Sequence, residues 1–299
     1  MIKTSVIIPY KNNVKALERA IISVLAQTVP VNIIIVDDGS DDGQRAERAL
    51  NNLPDVDNIK VIYNKVSVGG GEARNIGIKH SHTKYIAFLD CDDYWDSNKI
   101  ETQENQHESI ALPKLVLFTS IKVVDEELNL VKEYKNNISI TDFSDYVFLK
   151  GGLIQTSSLF LETKLASENF FNPNLKRHQD YDFCLKLQNE GAIFFGCNKT
   201  YSYWVISNDP LVALKKGYDF KISIDFYKSY KIMMAPFAGY AFLAKIPFWF
   251  CYKQKRSLEF FRELYKECGF KTTIMVVLQL AKMILSKWTN NNAKMELSS

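Results

Sequence analysis

The five cysteines of this 299-residue chain, Cys91, Cys184, Cys197, Cys251 and Cys268, never fall as a CxxC pair. That scatter argues against a zinc site or a disulfide framework and suits a reducing compartment. Net charge is only +3, too slight to point to nucleic acid. No run of about twenty apolar residues occurs, so no transmembrane helix is expected. The opening MIKTSVIIPYKNN does not read as a signal peptide, because its apolar stretch is short and Pro9 and Lys11 follow at once. Repeats and low-complexity segments are missing. What remains is ordinary for a globular protein, 46% hydrophobic and 24% charged, and fits one large domain or one with an appendage.

Strands read at 4–9 (TSVIIP), 31–37 (VNIIIVD), 59–63 (IKVIY) and 84–89, with helices at 14–27, about 41–52 and over EARNIGIKHS. Strands alternating with helices imply βαβ units and a mostly parallel sheet. Such sheets bind ligands at the carboxyl ends of their strands. Here those ends carry Pro9–Tyr10, Asp37–Asp38 and Asp90–Asp93. Past residue 110 the pattern is less regular. LPKLVLFTSIKVVD and SSLFLETK read as strands, TDFSDYVFLKG as a short helix and NPNLKRH as a loop. A helix over 180–190 is stopped by Gly191, and short strands follow at 192–197 and 200–206.

The stretch YIAFLDCDDYW (85–95) carries the sharpest signal. A buried strand ends in Asp90, Asp92 and Asp93, which repel one another unless a cation sits among them. Hard divalent ions prefer carboxylate oxygen and bridge to phosphates. The alternative is that these acids cap a helix starting near Asp96 or Ser97, or face solvent. Convergence of three polar strand ends on one edge favours the cation.

Five segments in order, SVIIPYKNN, IIVDDGSDD, GGGEARNIGI, FLDCDDYW and RHQDYDFCLKL, resemble the inverting family 2 glycosyltransferases over about residues 3–207. The resemblance implies an α/β GT-A fold, with a single Rossmann-like, mostly parallel sheet flanked by helices and a helical C-terminal extension. The catalytic domain would span 1–210, a nucleotide-binding half at 1–100 and an acceptor half at 101–210. By the same resemblance Asp38 contacts uracil, while Asp37 is the more structural of the pair. Pro9 opens the first loop. Family members carry an aromatic residue two positions later; here Lys11 stands there, and Tyr10 is the aromatic residue available. Arg74 would hold the nucleotide. Asp90 would lie near the ribose or the metal, and Asp92 would coordinate Mn2+ or Mg2+, with Asp93 a weaker candidate. Gln179–Asp180 matches the pair that opens a helix and supplies the general base. A helix N-terminus favours an ionised acid, which suits Asp180. Asp182 is its rival on the same turn. His178 is expected to be an exposed loop residue, and Lys176 and Arg177 either flank the acceptor or form a solvated basic loop.

Residues 211–299 lie beyond the resemblance. PFAGYAFLAKIPFWFCY (236–252), KQKR and TTIMVVLQLAKMILSKW (272–288) set basic residues beside apolar helices. That pattern suits the surface of an anionic membrane over 236–288; packing on the catalytic domain or a partner is the alternative. Residues 289–299 read as disordered. The expectation is a metal-dependent inverting transferase on the cytoplasmic face of a bacterial membrane, with no nucleic-acid partner. It would move galactose or glucose from a UDP-sugar to a lipid-linked saccharide in surface-polysaccharide (O-antigen) synthesis. A sugar nucleotidyltransferase would need a glycine-rich, Lys- or Arg-bearing loop straight after the first strand, and PYKNN is not one. A non-catalytic nucleotide-sugar-binding scaffold is the other rival.

Overall fold

Runs of apolar, β-branched residues without polar alternation suit strands buried on both faces, and they form the middle of one sheet. β1 (Thr4–Tyr10) pairs in parallel with β2 (Asn32–Asp37) and with β4 (Tyr85–Phe88), and β2 pairs in parallel with β3 (Ile59–Tyr63). Tyr10 lies beside Asp37, and Asp37 beside Tyr63, so these strands finish at one edge. The structure is a computed structural model. It describes residues 1–209 except 52, 54, 55, 137 and 141, and residues 219–296, the last ten by backbone alone.

The sheet continues through β5 (Tyr94–Trp95), β6 (Leu115–Val124), β9 (Leu159–Glu162) and β10 (Ile193–Val205). Its order is β3-β2-β1-β4-β9-β6-β10-β5, with β7 (Leu130–Tyr134) and β8 (Ser139–Ile140) at the margins. β9 runs antiparallel between β4 and β6, whereas β6 and β10 are parallel. The two short strands expected near 192–206 are one strand, β10, with irregular register between Cys197 and Ser202.

Helices cover the sheet. α1 (Val14–Leu25) is capped by Asn13, whose side chain accepts from the Ala16 amide at 3.3 Å, and it buries Leu17, Ile21 and Val24. The helix expected over 41–52 is a 3-10 turn at Asp42–Gln44 and a single turn, α2 (Glu47–Leu50). α3 (Gly70–Lys79) presses on β1: a Cβ on Gly77 would stand 2.5 Å from Ile7 Cγ2. α4 (Lys99–Ile110) begins just past the helix considered near Asp96 or Ser97, and its extent is not readable from the sequence because the stripe it buries is largely polar: Lys99, Gln103, Glu104 and His107 beside Ile100. α5 (Thr163–Glu168) and α6 (Gln179–Asn189) complete this unit.

The chain forms two compact units, residues 1–143 with 152–212, and residues 144–151 with 213–299. In the second, α7 (Phe220–Tyr230) is followed by α8 (Pro236–Lys245) and α9 (Pro247–Lys253), each opened by a proline at its first turn, where the missing N–H costs nothing. α10 (Ser257–Glu296) is broken at Gly269, whose φ of 79° is open to glycine at little cost. Although two lysines, Lys271 and Lys282, interrupt the apolar run, Ser257–Ser286 is long and apolar enough to cross a membrane by length and composition, and its most apolar stretch is only 6% buried. The backbone is helical to Glu296, past the expected onset of disorder near 289, since no proline or glycine follows Gly269. Residues 297–299 lie outside the described residues.

Gly77→Ala is expected to lower unfolding free energy by about 1–3 kcal/mol through overpacking, read by urea denaturation. Adding Ile7→Ala should recover part of that loss relative to the sum of the single changes; strict additivity would show that the two sites do not touch.

Candidate active site

The acids at the strand ends divide by how they are satisfied. Asp37 is buried at the end of β2 and accepts from the amides of Ser40 (2.9 Å) and Ala46 (2.8 Å), so it shapes the loop that follows. Asp38 accepts four hydrogen bonds, from Asn64 Nδ2 (3.0 Å), Ser67 Oγ (2.6 Å) and the amides of Val68 (2.7 Å) and Gly69 (2.9 Å). Burial disfavours its charge, but these four donors outweigh burial and hold its pKa below the usual carboxylate value. A carboxylate has about four acceptor positions. In this conformation none is left for the expected uracil contact, because the polar loop 64–69 folds back onto Asp38. Tyr10 is likewise committed: its ring is 2% exposed, and its hydroxyl donates to the Gln44 carbonyl at 2.6 Å and accepts from the Asn13 amide at 3.0 Å. Little of its ring is open for stacking.

The loop after β4 is tied from three directions. The buried Arg74 of α3 donates to Asp90 through Nη2 and to Gln179 Oε1 through Nη1 at 3.0 Å, with its guanidinium over Phe171. It is therefore an internal ion pair and not a surface one. Arg19 of α1 donates to the Asp92 carbonyl. The Asp90 amide donates to Ser157 Oγ at 3.0 Å. Asp93 turns inward, 1% exposed, and accepts from Ser157 Oγ (2.6 Å), Gln155 Nε2 (2.5 Å) and the Val205 amide (3.1 Å). Burial, with the charges of Asp92 and Asp90 beside it, pushes its pKa well up. It does not border the cavity that Asp90 and Asp92 share. Ser157, Gln155 and Arg19 escaped the sequence reading, since a serine ahead of an apolar strand and an arginine on an amphipathic helix carry no local signal.

Asp180 stands in the first turn of α6. Burial pushes its pKa up to about 6, against the pull of the Tyr181 amide and Arg74, while the Asp90 charge adds to the rise. Desolvation outweighs the helix end that favours the ionised form, so Asp180 is a weaker acid than an ordinary carboxyl yet still ionised at neutral pH. Its rival Asp182 is fully buried, accepting from the Asn172 amide at 2.7 Å and paired with Lys186 at 3.0 Å. His178 is not an exposed loop residue. It precedes α6 with φ 62°, stacks on Tyr181 with ring centroids 5.5 Å apart, and burial pushes its pKa down to about 3.

A cavity of about 370 Å³ opens at the carboxyl ends of β1, β2 and β4. Pro9, Tyr10, Lys11, Asp38, Arg74, Asp90 and Asp92 border it, as do Gly69 and Gly70 at the start of α3. Asp180 is not on its wall, yet Arg74 and Asp90 both act on its charge. No group of three or more metal-ligating side chains occurs among the described residues. The donor set fits Mg2+ or Mn2+ all the same, because such ions are held by one or two carboxylates and complete their shell with phosphate and water.

Residues 5–151 match Glycosyl transferase family 2. The chain belongs to that family. An uncharacterized glycosyltransferase of Rickettsia conorii is 34% identical over 197 residues, 64% of this chain and 32% of that protein. The amylovoran biosynthesis glycosyltransferase AmsB of Erwinia amylovora is 30% identical over 172 residues, 54% of this chain and 56% of AmsB. This family 2 chain spans 28–32% of the length of the first curated relatives it matches, all from Rickettsia. The crystal structure of S. aureus TarS 1-349 in complex with UDP-GlcNAc is similar with a TM-score of 0.65 at 18% identity, covering 92% of this chain and 84% of that one. That likeness establishes the GT-A fold.

Because burial favours the protonated form of the inward-facing Asp93, Asp93→Asn is expected to stay within about 1 kcal/mol of the parent stability, while Asp93→Ala costs about 3 kcal/mol by stranding buried donors. Chemical denaturation checks both. Equal losses in the two variants would show that the fold does not favour the protonated form.

Proposed function

We propose that this chain is an inverting, metal-assisted glycosyltransferase. It moves galactose or glucose from a UDP-sugar to a hydroxyl of a saccharide carried on a lipid diphosphate, in bacterial surface-polysaccharide synthesis such as that of O-antigen. It works from the cytoplasmic side of the membrane, which the second unit touches. One observation carries the reading: Asp90 and Asp92 border a cavity at the strand ends, and Asp180, with its pKa near 6, is electrostatically linked to that site through Arg74 and Asp90. The family membership supports glycosyl transfer, the UDP-GlcNAc held by TarS supports a UDP-sugar donor, and the name of AmsB supports a polysaccharide product.

The roles follow from the environments. Asp90 and Asp92 would hold Mn2+ or Mg2+, which when bound offsets the charge on a departing diphosphate. Arg74 presents a fixed planar donor set to the nucleotide. Asp38, saturated by its own loop, keeps the base end of the cavity in shape. Asp180 takes the proton from the acceptor hydroxyl as that oxygen forms its bond to the anomeric carbon and the bond to the diphosphate breaks, inverting the centre. An acid with a pKa near 6 is ionised at neutral pH and still basic enough to accept that proton.

Asp180→Ala should lower transfer by about 10²–10⁴-fold while UDP-sugar binding, read by calorimetry, is kept; near-normal transfer would remove Asp180 from the role. The base must be unprotonated, so the parent rate should fall as pH drops through about 6, with the fall absent from the residual rate of Asp180→Ala. Asp92→Ala should weaken Mn2+-dependent UDP binding by about tenfold or more and leave metal-free binding unchanged. Equal weakening with and without Mn2+ would place Asp92 outside the metal site.

A further inference from the structure

The second unit holds a groove of about 820 Å³ formed by residues 145–150, α8 and α10. Its walls are apolar, with Phe148, Leu149, Phe237, Met275, Leu278 and Met283. Three lysines, Lys150, Lys245 and Lys282, border the same space. Lys150 is neutralised by Asp145 at 2.6 Å. Lys245 and Lys282 have no carboxylate partner among the described residues. Lys245 is half-buried, and that burial pulls its pKa down, which marks a cation whose water has been removed without replacement by an anion. A second apolar groove, bordered by Phe248, Trp249, Tyr252 and Ile284, shares Lys245 and Met283 with the first. Trp249 and Tyr252 stand about half exposed there, at 47% and 58%.

Cations without partners beside a continuous apolar trough are complementary to one kind of ligand, an anion joined to hydrocarbon. We propose that the groove between residues 145–150, α8 and α10 binds an anionic phospholipid of the bilayer, with its phosphate between Lys245 and Lys282 and its chains along Phe237, Met275 and Leu278. The occupant is a bilayer lipid because the apolar surface does not end at the groove. It runs on over Val277, Ile284 and Leu285, all exposed on the one helix among the described residues long and apolar enough to enter a membrane. Aromatic rings with polar tips, such as Trp249 and Tyr252, belong at the headgroup level. The inference rests on the membrane-surface part of the proposed function and adds to it a built lipid site.

The test is vesicle co-sedimentation of the full chain with phosphatidylglycerol-containing, phosphatidylcholine-only and farnesyl-diphosphate-supplemented mixtures. Binding is expected to phosphatidylglycerol vesicles, to fall with salt, and to weaken about tenfold or more in K245E/K282E. K245Q/K282Q, which keeps the aliphatic stems, should lie between, and Lys132→Glu in the first unit should bind as the parent. Equal binding to neutral vesicles, or unchanged binding by K245E/K282E, would overturn the site. Displacement by micromolar soluble farnesyl diphosphate would overturn the assignment to bilayer phospholipid. Transfer to a soluble saccharide acceptor, measured without vesicles, separates the two readings. Transfer without lipid selectivity defeats only the groove, and lipid selectivity without transfer defeats only the enzymatic reading.

Discussion

One buried guanidinium joins the parts of the first unit that matter. Arg74 reaches Asp90 on the loop after β4 and Gln179 at the start of α6, with the ring of Phe171 beneath it. A planar cation with donors fixed in a fork faces two such partners at once in a set geometry. Removing a charge from water is costly, and a buried ion pair is sustained only with good geometry and further hydrogen bonds. Arg74 meets that condition on two sides, while its Nε stays hidden without a partner. The glycine-led helix α3, the acidic loop and the helix carrying Asp180 are thereby held by a single group. Any ligand that draws Asp90 away must also resupply Arg74 with negative charge, which a diphosphate does.

The same reasoning sorts the carboxylates. Asp37, Asp38, Asp93 and Asp182 have their acceptor positions occupied by amides, hydroxyls or a lysine of the fold itself. They are part of the scaffold, whatever motif they sit in. Asp90, Asp92 and Asp180 differ: one is held by an ion pair at the cavity, one is exposed there, and one stands partly buried in the first turn of α6. Acids in such settings are the ones proposed to exchange a proton or a cation. Neighbours in sequence therefore have unlike chemistry. Asp92 faces out and Asp93 faces in, because the chain alternates sides as it enters β5.

That alternation is why the sequence was readable in some places and not in others. The strands from β1 to β4 and the helices α1, α3 and α6 announce themselves through apolar runs and helical spacing, and the five motifs fall in family order along them. α4 does not, since its buried stripe is Lys99, Gln103, Glu104 and His107. Those residues are buried because Glu104 accepts from Thr4 at 2.6 Å, Lys99 donates to Gln103 at 2.7 Å, and His107 packs on Tyr85. Hydrophobic periodicity cannot register a helix whose inner face is satisfied by hydrogen bonds. The site shows the same limit. The family resemblance singles out Asp90, Asp92 and Asp180, but whether Asp38 or Asp93 has an open lone pair depends on loops 64–69 and 155–157, folded from residues distant in sequence. The rise in the pKa of Asp180 also comes from burial, which no local motif encodes.

The second unit carries a different kind of constraint. Its helices leave Phe237, Trp249, Phe270, Leu278, Ile284 and Leu285 largely exposed. Scattered exposed apolar residues need no explanation, but contiguous ones along one helix do. Self-association could cover such a surface, but it would not account for half-buried Lys245. A second copy burying that lysine would have to bring an acid, and Glu259, Glu263 and Glu267 of α10 are already engaged by Arg256, Lys221, Lys228 and Lys266. A bilayer supplies hydrocarbon and fixed negative charge in one layer, at the spacing of a headgroup from its chains. A surface that combines apolar helices with lysines lacking carboxylate partners is matched by that layer more fully than by another protein of the same composition.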